Sequence, residues 1–442
     1  MDRKFKNLGN FNQALSEVSN DKNNAVSFVY KTPNKLTSLK NELLNDVVIT
    51  IKDVFATDNA KTRASSLILD NFEPKYNATC VQKLYESGAI AVAKVNNDEL
   101  ALGGTGTHSA YGLVTNPLDK NRYSGGSSSG SVATFTKNIG LALASDTGDS
   151  VRLPGCFCGI PGFKPSYGAI SRYGMFAYSS SLDTVAYFAH NVNDLVLASQ
   201  AMFGTDEKDM TSVEVKIDNV QKTKPHKIIV LDVLHLVKPY VKEAFLKLTD
   251  KLVAEGVQVE FVKPDENVLR AIKPVYQIVS FSEASANLAN LNGIAFGNRQ
   301  NGASWEELML KTRSFGFGKM VQERLSLGSY FLYSENQAEL FIKAQKARRV
   351  IKNYLTNLHK QADLLLFPAY VGIAPLFSDK SKNDYMDYIL TGSNLVGNPS
   401  LTLPLATYEN MPFSIALDSE LYSDEKLLGY GEYFEEIISQ LK

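Results

Sequence analysis

The sequence predicts an α/β protein, one large body in which helices cover both faces of a sheet. Three observations carry this. Short β-branched or apolar runs alternate with segments of helical period along most of the chain. A strand, a helix and a second strand follow one another at residues 227–233, 238–255 and 257–262, the spelling of a βαβ unit. The composition, 44% hydrophobic and 21% charged with 29 Gly and 15 Pro in 442 residues, is that of a chain able to bury a real core. No repeat and no linker-like stretch interrupts the alternation, so residues 46–442 are read as a single domain behind a lead-in of residues 1–45.

The lead-in is polar with scattered apolar positions, among them Leu36, Leu39, Leu43 and Leu44, and is expected to form one or two amphipathic helices. Val47-Val48-Ile49-Thr50-Ile51, bounded by Asp46 and Asp53, reads as a buried strand that delivers Lys52 at its far end. A helix over 79–87, an apolar run over 89–95 and a Gly/Ser/Thr-rich loop over 103–112 follow. The loop Ser124-Gly125-Gly126-Ser127-Ser128-Ser129-Gly130-Ser131 has side chains so small that amides and hydroxyls dominate its surface, and a helix of about ten residues is expected from Ser131. Residues 139–144 then form a strand carrying Asp146-Thr147-Gly148-Asp149-Ser150 to its C-terminal edge, where open α/β sheets place ligands. Helices are expected at 275–292 and 337–360.

Composition also narrows function. Lys and Arg number 46 against 47 Asp and Glu, a net charge of −1, so a nucleic-acid role would need a local patch. Cys80, Cys156 and Cys158 make no disulfide framework, which fits a reducing cytoplasm. Residues 1–10 lack the apolar core of a signal peptide. Residues 364–377 form the longest apolar stretch, interrupted by Pro368 and Pro375, too short to span a bilayer, so no membrane role is expected.

Several motifs are weak in context. Gly126-Ser127-Ser128-Ser129-Gly130 spells G-x-S-x-G, but a turn-rich segment and not a strand precedes it, so it is no nucleophile elbow. Asp146-Thr147-Gly148 lacks the second copy an aspartic protease dyad needs. His108, His190, His226, His235 and His359 never fall at i, i+4 and no second cysteine pair exists, so no metal is expected. No phosphate-binding P-loop occurs. What remains is a lysine at a strand end and two serine-rich loops. Desolvation lowers a lysine pKa, and a neutral amine can activate a hydroxyl. The competing reading is an ion pair of Lys52 with Asp53 or Asp146.

Four stretches resemble the amidase signature family: Ile49-Thr50-Ile51-Lys52-Asp53, Gly125 through Ser131, Ser145 through Arg152, and Cys158-Gly159-Ile160-Pro161-Gly162-Phe163-Lys164-Pro165-Ser166-Tyr167-Gly168. The likeness covers roughly residues 30–442 and implies a large mixed β-sheet flanked by helices on both faces. It further implies a Ser-Ser-Lys triad, with Lys52 as base, Ser127 as bridging serine after a cis peptide bond, and Ser150 as nucleophile. The amides of Thr147, Gly148, Asp149 and Ser150 would form the oxyanion hole. Within the family, Ser282-Glu283-Ala284-Ser285-Ala286-Asn287-Leu288, Gly316-Phe317-Gly318 and Ala344-Gln345-Lys346-Ala347-Arg348 are similar to the glutaminase subunits of tRNA-dependent amidotransferases.

That likeness implies glutamine as substrate, held by Tyr276, Arg324 and Asp387. It also implies a tRNA-binding B-type partner that handles Glu-tRNA(Gln) with ATP and Mg²⁺, a small C-type subunit, and no cofactor in this chain. An arginine fork for a carboxylate, an aspartate for an ammonium and a tyrosine hydroxyl make chemical sense for a free amino acid. A stand-alone amidase for another amide and a scaffold subunit impaired in catalysis are the rival readings. Asp149 and Ser129 stand where the family pattern has glycine, and Asp149 puts a carboxyl beside the expected oxyanion.

Overall fold

The structure, a computed structural model, describes residues 3–441. Its strands are β1 (Val26–Val29), β2 (Val48–Lys52), β3 (Ile90–Val95), β4 (Leu141–Asp146), β5 (Gly162–Lys164), β6 (Thr184–Ala189), β7 (Lys227–Leu231), β8 (Gln258–Val262), β9 (Leu364–Pro368), β10 (Ser400–Tyr408) and β11 (Met411–Asp418). They form one mixed sheet in the order β1-β3-β2-β4-β6-β5-β10-β11-β9-β7-β8. β2 runs parallel to β3 and β4, and β7 runs parallel to β8 and β9, the predicted βαβ unit among them. The pairings that join these two groups across the middle of the sheet are antiparallel.

β2 and β4 are buried along their whole length because both faces are covered, which is why they read as apolar runs without a polar side. On one face Ile49, Ile51, Leu141 and Leu143 enter the main core with Val81 and Leu84 of the helix Thr79–Glu86 and Leu195 of the helix Val192–Met202. On the other, Ala142 and Ala144 pack on Val132 of the short helix Ser129–Ala133, while Val48, Val92 and Val95 pack on Ala14 and Val18 of the helix Phe11–Ser19. With alternation of period two, Lys52 shares the face of Val48 and Thr50, the face the serine-rich segment covers.

The structure departs from the expectations at five places. The lead-in forms one amphipathic helix, Phe11–Ser19, of the one or two expected, and none at Leu36–Leu44, where the chain is loop and turn and Leu36 is exposed. A few leucines ahead of a turn cannot offset the cost of starting a helix. Instead Val26–Val29 becomes an edge strand antiparallel to β3, so the lead-in contributes to the sheet. The helix expected to run ten residues from Ser131 spans only Ser129–Ala133 and stops at Thr134, whose hydroxyl turns back to the Gly130 carbonyl at 2.8 Å. The strand expected at 139–144 lies two residues later, which makes Asp146 its last residue. The helix expected at 275–292 is Glu266–Asn287, capped by the Asp265 carboxylate and running through Pro274. Leu269, Ile272, Val275 and Val279 bury one stripe across the proline and hold it helical. Among the described residues no helix is long and apolar enough to cross a membrane.

Candidate active site

Lys52 is fully buried, and its Nζ lies 2.8 Å from Ser127 Oγ, 3.0 Å from Ser128 Oγ and 2.9 Å from Ser145 Oγ. The ion-pair reading fails because both carboxylates are engaged elsewhere. Asp53 pairs with Lys94 at 3.1 Å and Asp146 with Arg152 at 2.9 Å. Burial pulls the Lys52 ammonium down, and the carboxylates of Asp98, Asp146 and Asp183 only partly restore it, leaving its pKa at about 7. Three hydroxyls and no adjacent carboxylate form a setting in which the free amine accepts a proton. The peptide bond between Gly126 and Ser127 is cis.

The two serine loops meet through the backbone, where Ser128 N–H donates to the Ser150 carbonyl at 3.3 Å. Ser150 is buried at the start of the turn into the helix Arg152–Cys158. Behind this loop the fully buried Arg152 guanidinium grips both Asp146 oxygens, at 2.9 and 3.1 Å, and donates to the Gly148 carbonyl at 2.8 Å. The Asp149 carbonyl accepts from Leu153 N–H at 2.9 Å. In a trans peptide the N–H points opposite the carbonyl, so the N–H groups of Asp149 and Ser150 are turned away from Arg152 and its helix. Among the described residues the N–H groups of Gly148, Asp149 and Ser150 donate to no protein acceptor, the condition an oxyanion site needs. A Cβ on Gly148 would stand 3.0 Å from the Tyr276 hydroxyl, so a larger residue there would press on that ring.

Burial raises the Asp146 carboxyl, but the Arg152 guanidinium overrides it and holds the group below the usual carboxylate range. Arg152→Ala is expected to destabilise the fold by about 3–5 kcal/mol, because it strands a buried carboxylate. Urea unfolding of the two proteins measures this, and a loss below about 1 kcal/mol, the size of an ordinary hydrogen bond, would mean that the pair is not what holds this loop.

A cleft of about 360 Å³ opens beside the loop, lined by Gly148, Asp149, Tyr276, Arg324, Asp387 and Tyr388 among others. It therefore brings together all three expected clamp residues. Arg324 comes from the helix Lys319–Leu332 and donates to Tyr178 Oη at 3.1 Å. Tyr276 comes from the helix through Pro274, and Asp387 from the 3₁₀ segment Asp384–Thr391, where Asn383 donates to it at 2.9 Å. Asp149 lies in the cleft wall. Its burial there, and then the neighbouring Asp146 carboxylate, push its carboxyl up to about 8. At neutral pH it is largely protonated and brings little negative charge to the loop.

Some members of the site were not legible in sequence. Ser128 and Ser145 complete the Lys52 cradle, but one is a serine among serines and the other lies inside an otherwise apolar strand. Asp98 carries a double duty: its N–H donates to the Ser127 carbonyl at 3.1 Å, and its carboxylate accepts from the N–H groups of Thr105, Gly106 and His108. The acidic neighbour of a Gly-rich loop was the only available signal. No hydrogen bond joins the Ser127 and Ser150 hydroxyls among the described residues; in empty sites such links often tighten only once substrate is bound.

A lysine desolvated at the edge of a mixed sheet, two serine loops and an amide-sized cleft are the features of an amide-cleaving enzyme. A family model described as Amidase matches residues 5–428, and the chain belongs to that family, the amidase signature enzymes. Within it the chain is similar to the A-type subunit of the glutamyl-tRNA(Gln) amidotransferase of Sulfolobus acidocaldarius, 38% identical over 417 residues that cover 91% of this chain and 87% of the relative. The corresponding protein of Legionella pneumophila is 34% identical, covering 95% and 89%. Among solved structures, the A-type subunit of the glutamyl-tRNA(Gln) amidotransferase from Thermotoga maritima superposes with a TM-score of 0.79 at 29% identity, covering 96% of this chain and 91% of that one. Allophanate hydrolase of Kluyveromyces lactis, at 21% identity and a TM-score of 0.80, shares the fold.

Proposed function

We propose that this chain is the glutaminase subunit of a tRNA-dependent amidotransferase, supplying ammonia for the conversion of Glu-tRNA(Gln) to Gln-tRNA(Gln). The observation that carries the reading is the meeting of Arg324, Asp387 and Tyr276 in one cleft with the Ser150 loop. A guanidinium, a carboxylate and a phenol suit the carboxylate and ammonium of a free amino acid, whereas an apolar amide would leave those charges unpaired. Near-neutral net charge is in keeping with tRNA contact falling mainly to a partner.

The mechanism follows from the side chains. Neutral Lys52 accepts the proton of Ser127, Ser127 takes that of Ser150, and Ser150 Oγ attacks the side-chain carboxamide carbon of glutamine. The N–H groups of the Thr147–Ser150 loop, those of Asp149 and Ser150 foremost, receive the developing oxyanion, each good donor contributing about 3 kcal/mol. The C–N bond breaks as the relay returns a proton to nitrogen, and ammonia leaves. Water then attacks the γ-glutamyl ester, releasing glutamate and restoring Ser150. The ATP- and Mg²⁺-dependent activation of Glu-tRNA(Gln) is assigned to the B-type partner, with a small C-type subunit completing a cytoplasmic complex.

The test is ammonia release from glutamine by the complex with its partner subunits and Glu-tRNA(Gln). Arg324→Ala is expected to raise KM for glutamine about 10- to 100-fold, the worth of a charged hydrogen bond. It should leave the KM for an uncharged amide unchanged. An unchanged glutamine KM would overturn the clamp.

A further inference from the structure

One buried carboxylate touches both halves of the site, and neither the triad nor the clamp includes it. Asp183, 2% exposed, precedes β6. Its Oδ1 accepts from the Thr147 hydroxyl, in the oxyanion loop, at 2.7 Å. Its Oδ2 accepts from the N–H groups of Tyr178 and Ser179 at 2.8 and 2.9 Å. The Tyr178 side chain, 1% exposed, then receives the Arg324 guanidinium on its Oη at 3.1 Å and donates to Ser280 Oγ at 3.0 Å. Hydrogen bonds thus link Thr147 to Asp183 and Asp183 to the Tyr178 backbone, and the Tyr178 side chain carries the connection on to Arg324.

The bridging segment is held from outside as well. The Glu283 carboxylate accepts from Ser179 Oγ at 2.6 Å and from Ser181 N–H at 3.0 Å, and Arg348 donates to Ser181 Oγ at 2.7 Å and to its carbonyl at 2.9 Å. The segment is thus pinned on both sides, by Glu283 and by Arg348. A carboxylate suits this position because both its oxygens accept. An amide has one acceptor, and its NH₂ would face either the two N–H groups or the Thr147 hydroxyl.

We propose that Asp183 is a positioning residue that couples the amino-acid clamp to the oxyanion loop, so that a substrate carboxylate seated on Arg324 aligns the Thr147–Ser150 amides for attack. The identity of the seated group rests on the glutaminase reading above. Physical coupling has to be shown by non-additivity and not by the contact path alone.

The experiment is a double-mutant cycle of Thr147→Val and Tyr178→Phe in the assembled complex, with Asp183→Asn alongside. Two readouts are taken: kcat and KM for glutamine, and the rate at which a fluorophosphonate probe labels Ser150, which uses the same oxyanion amides without the clamp chemistry. Tyr178→Phe removes the hydroxyl that Arg324 and Ser280 share and leaves the N–H bonds to Asp183 in place, so a purely local role would change KM alone. Coupling requires that it also lower kcat and labelling, by about tenfold, and that the double variant lose little more than the worse single one. Asp183→Asn should lower both rates at least as far while its melting temperature stays near that of the wild type. If the variant unfolds instead, the cycle decides alone. Multiplicative effects in the cycle, or a Tyr178→Phe effect confined to KM, would overturn the proposal. A wild type that is labelled at Ser150 but releases no ammonia from glutamine would sink the glutaminase reading instead, and the labelling rates of the four proteins would still decide the role of Asp183.

Discussion

Ser150→Ala should lower ammonia release from glutamine by about 10⁴-fold or more, the loss seen when the nucleophile of a triad acting as a unit is removed. The expectation is this large because no other hydroxyl can replace it. Ser127 and Ser128 are fully buried and already held on Lys52 at 2.8 and 3.0 Å, whereas Ser150 follows the loop whose Gly148 and Asp149 line the cleft. The substitution removes one oxygen and leaves Arg324, Tyr276 and Asp387 in place, so glutamine should still bind with its dissociation constant within a few-fold of the wild-type value. Calorimetry and an ammonia assay on the same preparation separate the two quantities. Residual turnover within tenfold of wild type would show that the chemistry lies elsewhere.

Lys52→Met should cost about 10²–10⁴-fold, the range for a lost general base, and Lys52→Arg should be no better, since a guanidinium does not release its proton. The pH profile carries the more specific signature. Burial brings Lys52 to about 7, so its ammonium is the dominant form below that pH and the amine above it. The reactive species is the amine, and kcat/KM should therefore rise about tenfold per pH unit up to about 7 and then level. Asp149, at about 8, works in the opposite direction. Its ionisation above that pH places a carboxylate in the wall beside the oxyanion loop, so the rate should fall again. Asp149→Asn should abolish the falling limb and leave the rising one. A profile flat from about pH 5.5 to about 8 would contradict a neutral lysine base.

Much of the site could be read before any coordinates. Lys52 was marked by a charged residue ending an apolar strand, and the loops of Ser127 and Ser150 by side chains too small for anything but backbone and hydroxyl chemistry. The clamp was reached differently. Tyr276, Arg324 and Asp387 lie far apart in sequence, and each alone is a common core or surface residue, so only family resemblance pointed to them. Asp183 had no signal at all, because its role lies in two hydrogen-bonded neighbours that folding alone brings to it. Among the elements, the strands with both faces covered were legible as continuous apolar runs. The length of the helix after Ser129 was not, since a side chain turning back on its own backbone ended it.

Local pattern supplies the inventory: an α/β chain, a lysine at a strand terminus, two serine loops and a near-zero charge. The tertiary structure decided which charges remain free. Asp53 and Asp146 both neighbour the lysine along the chain or in the motif, and only packing shows them bound to Lys94 and Arg152. Burial without a carboxylate partner is what lowers the Lys52 pKa to about 7, and it is a property of three-dimensional surroundings, because removal from water and the distances between charges are set by the fold and not by position in the chain.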